Sequence, residues 1–256
     1  MGDGLAVAGE QLPDDPEEAL KPLQILSPCF YPTVDPAELL VQSAERFHLP
    51  LALYGVGDTF ITHGADAQVK RLLELMDQEK LADLVMVTDC RDVLLLAREE
   101  EIIRKYRAYS KDGARTRLVM SAERGCWPPD EELVFAGVGV DINGYCWANA
   151  GQFIGEWDYV KDCLRLLLER YRGKHPGADN SQGWWMWARL REEVDYVLDS
   201  GCQIFQSMSG GADSHTQVVD GVLMNTVTGS RPCSVHFNGN PGNDIPVREM
   251  YWRIFR

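Results

Sequence analysis

The chain has 256 residues, of which 45 % are hydrophobic and 25 % charged, enough apolar material to bury a core without disulfides or a structural metal. Its 39 acidic residues against 25 basic ones leave a net charge of −14. That surface repels phosphate backbones and argues against general nucleic-acid binding, but a divalent cation in an acidic pocket can still bridge carboxylates to a small phosphorylated ligand.

Residues 1–22 include Pro13, Asp14, Asp15, Pro16, Glu17 and Glu18 and read as a flexible, solvated acidic arm. They lack the basic-then-apolar pattern of a secretory signal, and Ala6 stands where a myristoylation signal wants Ser or Thr. As written the chain reads as cytoplasmic, or as a protein of the ER or Golgi lumen if a leader was removed. No apolar run of about 18 residues marks a membrane span. Seven cysteines without a CxxC pair speak against a zinc module and a dense disulfide framework.

After the arm, Leu23–Leu26 is a short strand and Pro36–Phe47 a helix with Leu39, Leu40, Ala44 and Phe47 on one face. Leu49–Val56 is a second strand, broken by Gly55 and Gly57, and Ala67–Glu79 a second helix. Leu84–Thr88 is a continuous apolar run of the kind buried on both faces of a parallel sheet. A helix over Glu99–Tyr109 and a strand over Leu118–Ala122 extend the alternation, which predicts an α/β fold with a mostly parallel sheet flanked by helices. Beyond this the pattern is less regular: a helix over Trp157–Tyr171, a helix over Gly183–Leu190, a strand at Gln203–Phe205, and a strand from Arg231 running into a Gly/Asn/Pro loop by Gly242. No repeat or boundary divides residues 23–256, so one domain is expected.

The strongest local signal is Val85-Met86-Val87-Thr88-Asp89-Cys90-Arg91-Asp92. Ligands of open α/β sheets bind beyond the carboxyl ends of the strands, and two carboxylates three residues apart there can converge on one hard cation. Two other readings stand beside this one. Asp92 could simply cap the next segment, or the acids could belong to an Asp-x-Asp phosphatase site, whose spacing Arg91 breaks. His236, at a strand end beside Gly239, is either structural or a third ligand. Trp184, Trp185 and Trp187 fit a core better than a sugar platform. Trp127 follows a strand end and has the better claim to a ligand. Glu123 could add a polar contact there, but it reads most simply as a solvated carboxylate.

Six segments in order carry a resemblance: Val87–Val93, Ser121–Pro128, Asn149–Gly155, Asp179–Gln182, Cys202–Gln206 and His236–Gly239. Together they resemble the glycosyltransferase domain of the procollagen lysyl hydroxylases and, more distantly, the procollagen galactosyltransferases. The resemblance implies a GT-A fold that binds a UDP-sugar with Mn²⁺ and transfers galactose or glucose to a hydroxyl-bearing acceptor, protein or glycan, of the hydroxylysine type. It places the metal on Asp89, Asp92 and His236. It places the nucleotide-sugar against Gly55, Val56, Trp127, Asn149, Asn238 and Gly239, with Asp179 acting on the donor sugar or the acceptor hydroxyl. The family usually carries consecutive Asp residues where this chain has Asp179-Asn180. That departure keeps open a nucleotide-sugar or glycan-binding module of the same fold with little turnover.

Overall fold

A computed structural model of the chain describes residues 23–58, 64–111, 114–129, 143–173, 180–239 and 244–256. The acidic arm and Asp179 lie outside the described residues. The elements run β1 (Leu23–Pro28), α1 (Glu38–Phe47), β2 (Leu51–Tyr54), α2 (Gly64–Gln78), β3 (Leu84–Thr88), β4 (Val93–Leu95), α3 (Glu99–Arg107) and a two-residue ribbon, β5 (Ser110–Lys111) with β6 (Ala114–Arg115). Next come β7 (Leu118–Glu123), β8 (Trp147–Glu156), α4 (Trp157–Tyr171), α5 (Ser181–Leu190), β9 (Val197–Asp199) and β10 (Phe205–Ser207). The hairpin β11 (Thr216–Val219) and β12 (Val222–Asn225), then β13 (Ser234–His236) and α6 (Asp244–Phe255), complete the order.

The central sheet has the order β2-β1-β3-β8-β7-β9. β1 pairs parallel to both β2 and β3, and β7 pairs parallel to β9. β8 runs antiparallel to both its neighbours. Five strands therefore share one direction and a single reversed strand sits among them. This agrees with a mostly parallel sheet, and β8 is an element that the simple β–α alternation did not predict. Also beyond that reading are β4, the β11–β12 hairpin and α6.

Alternation along the strands fills both faces of the sheet. Val85 and Val87 join Leu72 and Met76 of α2, Trp157 and Leu164 of α4 and the tryptophans of α5 in one core. Leu84 and Met86 join Leu40 of α1 and Ile102, Ile103 and Tyr106 of α3 in the other. Trp184 and Trp185 are 1 % exposed, so the tryptophan cluster is core, as its helical spacing suggested. α5 starts at an Asn180 cap, whose side chain accepts from the backbone N–H of Gln182.

A second sheet, ordered β10-β13-β4, lies beside the first. β13 pairs parallel to β10 and antiparallel to β4, with His236 opposite Val93. The backbone N–H of Phe237 donates to the Asp92 carbonyl at 2.8 Å. This pairing brings the end of β13 to the turn after β3, two stretches of chain separated by more than 140 residues in sequence.

Candidate metal and donor site

Asp89 and Asp92 occupy the turn between β3 and β4, at the carboxyl end of a fully buried strand. His236 ends β13, and its Nε2 lies 3.3 Å from Asp89 Oδ2 and 3.3 Å from Asp92 Oδ1. One ligand atom from each of the three residues falls within 4.8 Å of the others. Burial opposes a charge on the His236 ring, but the carboxylates of Asp92 and Asp89 outweigh it and push the imidazole up to about 10. The geometry thus concentrates negative charge around one point and calls for a cation there.

The residues fit a divalent metal on a second count. β7 and β8 slip register, with Met120 opposite Phe153 but Ser121 opposite Asn149, so residues 150–152 bulge away from β7 while β8 stays paired to β3. Bulges of this sort re-aim a strand beside a site. The Asp89 N–H donates to the Gly151 carbonyl at 2.8 Å, holding the bulge against the turn. A Cβ on Gly151 would lie 2.7 Å from Asp89 Oδ2 and would collide with the His236 ring. Only glycine leaves that cradle open. Two carboxylate oxygens and one imidazole nitrogen form a donor set suited to manganese or magnesium.

The triad faces a cavity of about 640 Å³ whose wall also includes Glu123, Trp127, Asn149, Gln182, Asn238 and Gly239. A second cavity of about 290 Å³, lined by Phe30, Tyr31 and Arg91, shares Gln68, Asp89 and Asp92 with it. Trp127, Asn149, Asn238 and Gly239 therefore gather with the triad around one space. Gly55 and Val56 line neither cavity. Gly55 (φ +81°) backs the Phe30 ring, one layer behind the smaller cavity. Trp127 is 60 % exposed at the rim, an indole open to a ligand.

The structure corrects the reading of Glu123. It is 2 % exposed and accepts hydrogen bonds from Asn149 Nδ2 (3.2 Å), Asn238 Nδ2 (2.6 Å) and Gln182 Nε2. Burial pushes its carboxyl up, against the pull of those three amides. The signal that favours burial is position: Glu123 ends β7, whose six residues are all buried. Gln182 was likewise not assigned a role. Its Oε1 accepts from the Ala150 N–H at 3.1 Å and its Nε2 donates to the Trp127 carbonyl at 2.7 Å, tying α5 to the β8 bulge and the rim. Gln152, which belongs to the Asn149–Gly155 segment, donates through its Nε2 to Thr88 Oγ1 (3.2 Å) and Ser234 Oγ (2.9 Å), bolting the two sheets together.

Comparison with known proteins bears on the family and the fold. The family model described as the PLOD GT domain matches residues 33–246. An uncharacterized protein of Acanthamoeba polyphaga mimivirus is 31 % identical over 176 residues, covering 69 % of this chain and 36 % of its own. The multifunctional procollagen lysine hydroxylase and glycosyltransferase of Caenorhabditis elegans is 28 % identical over 221 residues, covering 80 % of this chain and 29 % of its own. The chain thus spans about a third of the length of these curated relatives. Among solved structures, a glycosyltransferase involved in glycosylation of the major capsid of PBCV-1 superposes with a TM-score of 0.55 at 11 % identity, covering 89 % of this chain and 99 % of that one. At that identity the likeness speaks for the fold, which is GT-A.

Proposed function

The chain belongs to the PLOD GT domain family, a family of glycosyltransferases, and from that premise we propose that it moves galactose or glucose from a UDP-sugar to a hydroxyl-bearing acceptor with the help of Mn²⁺. The observation that carries the reading is the convergence of Asp89, Asp92 and His236 on one point at the wall of the large cavity. Bound there, manganese supplies Lewis-acid neutralisation of the diphosphate leaving group as the sugar–phosphate bond breaks.

The chain's own residues supply position and polarity. Asp89, Asp92 and His236 hold the ion. The nucleoside end of the donor runs toward the smaller cavity, where Phe30 and Tyr31 offer aromatic faces and Gly55 backs the Phe30 ring. The sugar lies in the larger cavity, with Asn149, Asn238 and Gly239 on its inner side and the exposed Trp127 indole at its mouth. Asp179, immediately before the Asn180 cap of α5, orients the donor sugar or takes the proton of the acceptor hydroxyl. The acceptor is a hydroxyl of the hydroxylysine type, on protein or glycan. Among the described residues, no helix is long and apolar enough to cross a membrane.

The test is UDP release from a panel of UDP-sugars, with and without Mn²⁺, in the presence of hydroxylysine-containing peptides and simple glycans. Turnover confined to Mn²⁺ and to a galactose or glucose donor is the expected result. Mn²⁺-dependent nucleotide binding without an acceptor product would favour instead a nucleotide-sugar-binding module of the same fold. No nucleotide binding at all would remove both readings.

A further inference from the structure

Glu123 is connected to the metal-facing atom of His236 through a chain of hydrogen bonds. An ionised carboxylate only accepts. Its Oε2 takes hydrogen bonds from Asn149 Nδ2 and Asn238 Nδ2, and its Oε1 takes one from Gln182 Nε2. Asn149 must therefore turn its NH₂ toward Glu123 and its Oδ1 away. That Oδ1 accepts from the Gly151 N–H at 3.0 Å and faces His236 Nδ1 at 3.2 Å. A carbonyl oxygen facing a ring nitrogen demands an N–H on that nitrogen. His236 is thus protonated at Nδ1, and in its neutral form the Nε2 lone pair points at Asp89 and Asp92.

We infer that Glu123 is a positioning residue for the metal: through Asn149 it sets the ring tautomer that leaves His236 Nε2 free to ligate. Histidine ligands commonly give their second N–H to an oxygen that fixes the tautomer. Here that oxygen belongs to an amide, a group that can flip, and Glu123 holds it one way round. The other two donors reinforce the arrangement. Gln182 is pinned by the Ala150 N–H and the Trp127 carbonyl. Asn238 Oδ1 accepts from Ser207 Oγ at 2.8 Å, the softest of the anchors because a hydroxyl rotates. Three amides thus converge on one carboxylate, with at least one donor on each of its oxygens. Replacing one carboxylate oxygen by NH₂ forces a donor against a donor, and some amide must turn or lose its bond. If Asn149 turns, its NH₂ meets the Gly151 N–H and His236 Nδ1, the ring takes its proton on Nε2, and the ligand is lost.

The inference rests on the metal part of the function proposed above and not on the nucleotide or the sugar, so its test uses metal alone. Mn²⁺ binding to the full chain is measured by the loss of the free-ion electron paramagnetic resonance signal, in wild type, Glu123→Gln, Asn149→Ala and Trp127→Ala. Glu123→Gln and Asn149→Ala should each weaken Mn²⁺ about 10- to 100-fold, while Trp127→Ala leaves it unchanged. The signature that separates tautomer control from mere loss of a nearby charge is the two-bond ¹H–¹⁵N spectrum of histidine-labelled protein loaded with diamagnetic Zn²⁺. The histidine that responds to Zn²⁺ should carry its proton on Nδ1 in wild type and shift toward Nε2–H in Glu123→Gln. Wild-type Mn²⁺ affinity in both variants, or a Zn²⁺-responsive histidine protonated on Nε2 in wild type, would overturn the inference while leaving the metal site standing. If Glu123→Gln does not fold, Asn149→Ala and the wild-type spectrum decide. Failure of the wild-type chain to bind either ion would overturn the metal site and this inference together.

Discussion

Two carboxylates are buried in this sheet, and they are satisfied in different ways. Asp199, at the end of β9, is fully buried and accepts from the backbone N–H groups of Gln203, Ile204 and Phe205, each at 2.7 Å, and from the Tyr109 hydroxyl. Glu123, at the end of neighbouring β7, is nearly as buried but takes only side-chain amides. Backbone donors do not turn, so Asp199 locks the loop between β9 and β10, and it lines neither of the two cavities at the triad. Side-chain amides present a second end, and the far ends of Asn149, Gln182 and Asn238 reach His236, the β8 bulge and Ser207. Burial of a charge costs stability in either place. At Asp199 that cost is offset by backbone N–H groups and a tyrosine hydroxyl, and at Glu123 by three side-chain amides.

Substitutions should separate the two regions, and the largest effect belongs to the site. Asp92→Asn should lower transfer by about 10³-fold, the scale of losing one preorganised charge at a reacting centre, with the urea midpoint near wild type. A parallel loss of folding would blur the contrast. Asp199→Asn should do the reverse. Its NH₂ would face backbone N–H groups, costing about 3 kcal/mol in urea unfolding, while Mn²⁺ affinity of the folded protein stays within about twofold of wild type. Gly151→Ala should fall between them, because the added Cβ presses on Asp89 and His236. Mn²⁺ affinity should drop about 10-fold or more, read in the same titration.

A smaller effect sharpens the Asp199 side of the comparison. Burial pushes its carboxyl up to about 6 despite four donors, above the ordinary aspartate value near 3.8. The folded chain therefore takes up this proton before the unfolded chain does. The resulting stabilisation is full below about 3.8 and is lost as pH rises through about 6. Relative to Asp199→Asn, which does not titrate, wild type should gain about 1 kcal/mol between pH 7 and pH 5. A difference that is flat or falls over that interval would contradict the assignment. The smallest stability effect belongs to the rim: Trp127→Ala, at an exposed side chain, should change unfolding by less than about 0.5 kcal/mol while reducing transfer.

How much of this was legible in the sequence follows the same division. The apolar runs Leu84–Thr88 and Leu118–Ala122 and the helix Trp157–Tyr171 were readable because burial on one or two faces imposes a period. β8 was not. Its first half, Trp147-Ala148-Asn149-Ala150-Gly151-Gln152, carries small and polar residues because it bulges into the site, so no strand period survives there. The C-terminal helix α6 and the β11–β12 hairpin are half exposed and carry weak patterns. At the site, Asp89, Asp92 and His236 stand out in the sequence because the ligands of hard cations have a narrow chemistry, and the structure brings the three together. The burial of Glu123 and the contacts of Gln182 are not legible because they depend on which groups these side chains face, and only the pairing of β7 with β8 and the docking of α5 reveal that. Gly55 backs the Phe30 ring, Val56 is an exposed side chain that lines neither cavity, and Asp179 lies outside the described residues.

The central claim is that Asp89, Asp92 and His236 hold a metal through which a UDP-sugar is bound. Calorimetric titration of UDP into wild type and Asp92→Asn, each with Mn²⁺ and with EDTA, tests it most directly. The account predicts UDP binding to wild type with Mn²⁺, at least about 10-fold weaker binding on chelation, and no Mn²⁺ dependence in Asp92→Asn. Equal UDP affinity with Mn²⁺ and EDTA in wild type, or an unchanged Mn²⁺ dependence in Asp92→Asn, would contradict it.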